Sequence, residues 1–180
     1  MIPLPTPTPS CAAPRRRDGW GAREFHERCD LSGPCVVVGR TSSGRRFGAF
    51  SPIAWMSSDD YREKADDFLF AWPAGSAGDA QPERVLKIGG PGPLFDWARG
   101  GPQWGAEALA VGPPASPAGG GIAGPGAEDT GWGDLRTARS RLGRDYALSP
   151  DGEASLFGEP TAELVEFEVY YSPELKLMYD

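Results

Sequence analysis

Histidine and cysteine are scarce in this sequence: one His and three Cys in 180 residues. Cys11, Cys29 and Cys35 are an odd set without framework spacing, and His26 is alone, which argues against a His/Cys zinc site and against a disulfide scaffold. The expectation is reduced thiols in a reducing, cytoplasmic compartment. No apolar run approaches the length that crosses a bilayer, and the N-terminus lacks the apolar stretch of a secretory signal. Excess positive charge is absent too. With 25 acidic against 18 basic residues the formal net charge is −7, which argues against a general nucleic-acid binder. Gly89-Gly90-Pro91-Gly92 is followed by no Gly-Lys-Ser/Thr, so it is not a phosphate loop. The start of the chain is free of acids and carries Arg15, Arg16 and Arg17, as transit peptides do. Its prolines at positions 3, 5, 7 and 9 oppose the amphipathic helix such a peptide forms, so a plain extended tail is the preferred reading.

Glycine and proline are abundant, 25 and 19 residues, near the range of low-complexity sequence. They concentrate in a few stretches, so the expected map is one folded unit with loops. It has a disordered Pro-rich tail over 1–17, a domain over 18–173, disordered insertions near 73–82 and 112–131, and a C-terminal tail over 174–180.

The chain is organised around Phe25–Trp55. Ala22, Phe25 and Cys29 fall on one face of a short helix. Gly33-Pro34 ends it. Two apolar runs, Cys35–Val38 and Phe47–Phe50, flank Thr41-Ser42-Ser43-Gly44, which reads as a β-hairpin. The uninterrupted valines suggest a first strand covered on both faces. Beyond it, Ser57–Lys64 reads as a short polar turn or helix capped by Ser57 or Ser58. Asp67–Trp72 reads as a strand stopped by Pro73, and Val85–Ile88 as another. Asp134–Leu142 reads as a helical turn carrying arginines. Leu164–Tyr171 alternates strictly, with Val165, Phe167, Val169 and Tyr171 on one face and Glu166, Glu168 and Tyr170 on the other. The expected core includes Phe47, Phe68, Phe70, Phe167 and Val169.

Phe25-His26-Glu27-Arg28-Cys29-Asp30, Ser32-Gly33-Pro34, Phe47-Gly48-Ala49-Phe50 and Trp55, in this order and spacing, resemble the opening of a TLDc domain, the domain of the oxidation-resistance family. The likeness continues through Phe68-Leu69-Phe70, Gly101-Pro102, Trp104-Gly105, Leu142–Tyr146 and the closing strand around Phe167, so it covers about Asp18–Ser172. Glu107-Ala108 stand where the family has a His-Asp pair. The family also carries a helical segment and a strand ahead of this point that this chain does not show, which would leave a sheet edge open. The resemblance implies a fold: a mainly β, two-sheet antiparallel sandwich flanked by short helices. It implies a role in protection against oxidative stress and, for several members, binding to and regulation of the vacuolar proton-pumping ATPase, with the peripheral sector of that pump as partner. Neither cofactor nor metal is implied. The residues expected to carry the family's structural motif are Phe25, Cys29, Asp30, Gly33, Pro34, Phe47, Gly48, Trp55, Phe68, Phe70, Gly101, Pro102, Trp104, Gly105 and Phe167.

Two constellations bear on function. His26 and Cys29 are helix neighbours, and a thiolate–imidazole pair is a nucleophile when a third residue orients it. No such residue or oxyanion loop is visible, so Cys29 is assigned to packing, with His26 facing water or capping a neighbour. Cys29 and Cys35 as a peroxide-sensing pair would need exposure and a lowered pKa. Charge is the other feature. Asp151–Asp180 holds eight acids and one lysine, which equals the whole net charge. Glu163, Glu166 and Glu168, with the Arg136, Arg139, Arg141 and Arg144 run, are therefore the candidate partner-binding residues. The resulting expectation is a non-catalytic protein-binding module. The alternatives are a thiol-dependent enzyme or peroxide scavenger built on Cys29, and a structural docking component of a larger assembly.

Overall fold

A computed structural model of the chain describes residues 19–63, 66–89, 93–112 and 133–171. The tails over 1–17 and 174–180, and nearly all of the insertion over 112–131, lie outside the described residues.

The helix forms where the spacing places it. α1 spans Ala22–Cys29 and buries Ala22, Phe25, His26 and Cys29. No side chain caps its start; the Ala22 amide instead donates to the Gly133 carbonyl at 2.9 Å, so a distant segment satisfies one of the helix's orphan donors. The chain leaves α1 through Asp30 in an extended conformation and turns at Gly33, whose φ is +100°.

The hairpin also forms as expected. β1 (Cys35–Thr41) pairs antiparallel with β2 (Arg46–Ser51), with Gly39 opposite Phe47 and Val38 opposite Gly48. A Cβ on Gly48 would lie 2.4 Å from the Val37 carbonyl oxygen and 2.2 Å from the Phe70 ring, so the centre of β2 needs a residue without a side chain. Only one face of β1 is fully covered. Its residues alternate buried and half-buried, with Val36 and Val38 on the wetter side, so the valine run is not the doubly buried strand it suggested.

The remaining strands are short. They are β3 (Asp60–Arg62), β4 (Phe68–Ala71), β5 (Glu83–Val85), β6 (Leu94–Asp96), β7 (Gln103–Trp104), β8 (Leu109–Val111), β9 (Thr137–Arg139) and the long β10 (Thr161–Tyr171). Two expected helical turns are strands. Ser57–Lys64 contributes β3, paired to β6, and Asp134–Leu142 contributes β9, held between β8 and β10. In both cases strand partners supplied from far along the chain override a weak local preference. The expected strand over 85–88 ends at Val85, and Lys87 instead makes an isolated bridge to Tyr146. The segment 73–82, expected to be a disordered insertion, has turns at Pro73–Ser76 and Ala77–Ala80. It also accepts hydrogen bonds from Arg46 and Trp72.

All the strand pairs are antiparallel, in the order β3-β6-β7-β8-β9-β10-β1-β2-β4-β5. The fold is thus mainly antiparallel β with a single short helix among the described residues. It is one open succession of strands rather than the expected two-sheet sandwich flanked by helices. β10 explains the continuity. Thr161–Glu163 pair with β9, and the strand then runs on against β1. Between those stretches the β1–β10 register slips: Arg40 faces Glu166 but Thr41 faces Leu164, which leaves Val165 as the extra residue of a bulge. The expected strict alternation therefore fails at Val165, which is 42% exposed, while Leu164 is 2% exposed.

The core lies where β7 and β8 meet the hairpin and α1. Trp55 and Trp104 contact edge to face, with ring centroids 5.5 Å apart, and both are buried. Each indole N–H finds an acceptor: Trp104 donates to the Phe50 carbonyl at 3.0 Å and Trp55 points at the Cys35 sulfur at 3.3 Å. Phe25, Phe47, Phe167, Leu69 and Tyr146 complete this cluster. Of the expected core residues, Phe47, Phe70, Phe167 and Val169 are buried, whereas Phe68 is only half-buried. The Arg84 guanidinium lies 4.0 Å above its ring.

Candidate functional site

The thiol–imidazole neighbourhood is closed. Cys29 is 3% and His26 6% exposed. Of the two expectations for His26, facing water or capping a neighbour, the first fails: the ring is buried and bonds to neighbouring groups. Its Nδ1 lies 2.8 Å from the Asp30 carboxylate, and its Nε2 lies 3.0 Å from both the Trp97 and Gly100 carbonyl oxygens. Both ring nitrogens thus face oxygens, an arrangement that favours the protonated ring. Burial pushes its pKa down. The hydrogen bond to Asp30 and that carboxylate's charge, with the Gly100 and Trp97 carbonyls, more than offset this, and the net shift is upward. Asp30 is held in turn by the Ser57 hydroxyl, which donates at 2.5 Å.

This arrangement sets a pH dependence. The folded-state pKa of His26 lies above the value of about 6.5 expected of the unfolded chain. Its stabilisation is fully present below pH ~6.5 and is lost as pH rises through the folded-state pKa. The wild-type melting temperature is expected to fall over that rise, relative to a His26→Gln variant measured in parallel. Parallel profiles for the two proteins would show that His26 is not charged in the fold.

Cys35 is also buried, and neither it nor Cys29 is in a disulfide. Among the described residues no group of His, Cys, Asp or Glu side chains comes together as a metal site requires, and no helix is long and apolar enough to cross a membrane.

The structure divides the charged candidates among several partners. Arg40 of β1 meets Glu166 of β10 directly across the ladder, through Nε at 2.9 Å and a terminal nitrogen at 2.5 Å. The Tyr170 hydroxyl donates to Glu168 on the same face. Glu163 is exposed, and its carbonyl accepts from the Ser42 amide. Asp151 and Glu153 both receive the Arg45 guanidinium. Three of the eight acids of 151–180, Asp151, Glu153 and Glu166, are thus ion-paired within the fold. The arginine run does not dock on Glu166 and Glu168. Arg136 pairs with Asp134 at 3.3 Å, and Arg141 with Glu107 at 3.2 Å. Arg139 and Arg144 are exposed, and neither makes an ion pair among the described residues.

The motif residues have packing roles. Phe25, Cys29, Phe47, Phe70, Trp55, Trp104 and Phe167 are buried side chains, and Gly33, Pro34, Gly48, Gly101, Pro102 and Gly105 are buried backbone. Asp30 anchors His26 and Ser57.

Sequence reasoning missed the buried polar clusters. Asp67, fully covered, accepts from Lys87 Nζ at 2.6 Å and from the Tyr146 hydroxyl at 2.5 Å. Burial first, then the bond to and charge of Asp67, push the Tyr146 phenol well above its ordinary range. Asp96 accepts from the Met56 and Ser57 amides and the Ser58 hydroxyl, which fixes a loop where Ser57 and Asp59 hold left-handed backbone. An acid immediately before Phe68 and another at the end of the Leu94–Asp96 strand were the available signals.

No curated protein matches the chain. Residues 14–76 match the family model of the TLDc domain. That stretch holds α1 and β1 to β4; beyond it the likeness rests on the motif residues alone. Over residues 14–76 this chain is therefore similar to the TLDc domain.

Proposed function

We propose that the chain is a non-catalytic TLDc-type protein-binding module of the oxidation-resistance family. On this reading it contributes to oxidative-stress protection by binding and regulating the vacuolar proton-pumping ATPase through the pump's peripheral sector, in the cytoplasm. The observation that carries it is the state of the thiol–imidazole neighbourhood. Cys29 is packed in the core, and both His26 nitrogens are engaged by oxygens of Asp30, Trp97 and Gly100, so neither is placed to take a proton from a thiol. A peroxide-reactive thiol also needs exposure, which Cys29 and Cys35 lack.

Purified protein is expected to consume peroxide no faster than an unrelated protein with the same number of thiols, and Cys29→Ser is expected to leave cellular protection against peroxide largely intact. Binding of the isolated peripheral sector of the pump, followed by sedimentation or surface capture, is the direct test. Cys29-dependent catalytic turnover, or no binding by folded protein, would remove this reading. The placement of Glu166 favours a change of emphasis within it. Because Arg40 already pairs with Glu166, the closing strand offers less unmatched acid than the sequence suggests.

A further inference from the structure

A cavity of about 430 Å³ opens beside the end of β9, with Arg139, Arg141 and Glu107 among its lining residues. We propose that it is a binding site for a single protein carboxylate, either an Asp or Glu side chain or the C-terminus of a partner chain. The inference rests on the protein-binding reading above and adds the chemistry of the partner.

The site forms where β9 ends. Arg139 is the last residue of the strand and Arg141 lies two residues beyond it; both are exposed and line the cavity, while Ala138 and Ser140 are buried. The residues paired with Arg139 are Ala110 on β8 and Thr161 on β10, both short and uncharged, so no carboxylate stands directly opposite its guanidinium. Glu163 lies one diagonal step along β10 and forms no ion pair with it. Among the described residues Arg139 therefore keeps its donors, whereas Arg23, Arg40, Arg45, Arg62, Arg136 and Arg141 all meet acids. Arg141 spends one N–H on Glu107 and remains 64% exposed.

Charge and lining together choose the ligand. Two arginines against one glutamate leave a single positive charge, which matches a monoanion better than a doubly charged phosphate. The planar guanidinium fork fits a carboxylate with two parallel hydrogen bonds. The walls include Ala106, Ala110, Ala154 and Pro160, small apolar groups suited to the methylenes behind a carboxylate. The site is held in shape: the Arg141 amide donates to the Glu107 carbonyl at 2.8 Å. Ser140 is spent inside, donating to the Ala108 carbonyl at 2.8 Å and accepting from the Leu156 amide at 3.0 Å.

Fluorescence anisotropy with three labelled pentapeptides tests this on the full chain. One carries a central Glu and an amidated C-terminus, one is uncharged with a free C-terminal carboxylate, and one is uncharged and amidated. Binding of either carboxylate peptide, well above the neutral amide, is expected and identifies the source. Arg139→Gln should weaken that binding about tenfold or more, with an unchanged melting temperature because the side chain is exposed, while Glu107→Gln should strengthen it. Equal binding of all three peptides, affinity unchanged in a folded Arg139→Gln protein, or inorganic phosphate competing as strongly as acetate would overturn the assignment. Capture of the pump's peripheral sector is measured separately on the same protein. Capture without carboxylate binding removes this site and leaves the module reading, whereas carboxylate binding without capture does the reverse.

Discussion

Phe167→Ala is expected to cost ~3–5 kcal/mol of folding stability, a large share of a total of ~5–15 kcal/mol. The side chain is fully buried at the middle of β10, directly opposite Gly39 of β1. Gly39 has no side chain to move into a vacated space, and the Phe47 ring already lies over it, with ring carbons 2.5 to 3.1 Å from where a Cβ would sit. A cavity here cannot collapse cheaply, which places the substitution toward the upper end of that range. The neighbouring Val165→Ala serves as the internal comparison. Its side chain is 42% exposed at the bulge, so the change should stay within ~1 kcal/mol. Urea denaturation of the two variants checks both. A Phe167→Ala midpoint close to that of wild type, or equal losses at the two positions, would show the register of β10 to be wrong.

Asp67→Ala is expected to be comparably severe, about 3–5 kcal/mol. Its carboxylate is fully covered and takes a charged and a neutral donor, Lys87 at 2.6 Å and Tyr146 at 2.5 Å. Removing it withdraws the counter-charge from a Lys87 side chain that is only 20% exposed, and the phenol of a buried tyrosine loses its acceptor. The effect should be reported by a large fall in melting temperature. Replacing the charges together, Asp67→Leu with Lys87→Met and Tyr146→Phe, should recover much of the loss, because apolar groups of similar volume need no partner. If Asp67→Ala melts with wild type, the cluster contributes nothing and Lys87 is solvated instead. The cluster also has a topological role. Lys87 follows β5 at one end of the strand order, and Tyr146 lies in the segment between β9 and β10, so Asp67 ties an edge of the sheet back to its middle.

Around the candidate site the charges were legible in the sequence but their geometry was not. Arg139 and Arg141 stood out as charges, but their reading as a helical turn would have placed them about 200° apart around a helix axis. In the structure Arg139 ends a strand and Arg141 lies two residues beyond it, and both line one cavity. Glu166 and Glu168 were correctly placed on one face of β10, yet nothing local to them announces Arg40, which lies 126 residues earlier and is opposite Glu166 only through the β1–β10 register.

The sequence by itself determined the elements whose signals are local. α1 follows from the spacing of Ala22, Phe25 and Cys29, the hairpin from two apolar runs around Thr41–Gly44, and β4 from Phe68–Ala71 stopped before Pro73. Each combines its own periodicity with its own breaker, so no distant residue is needed to specify it. The stretch similar to the TLDc domain, residues 14–76, holds all of these elements, which is why that likeness was legible early. Tertiary structure decided everything that depends on a partner far away in the chain. It made strands of Asp60–Arg62 and Thr137–Arg139, slipped the register at Val165, held His26 between Asp30 and two carbonyls, and buried Asp67 with Lys87 and Tyr146. The physical reason is common to all of these. A three-residue strand or a buried charge is unfavourable alone and is stabilised only by hydrogen bonds and burial that exist once the separated segments have met.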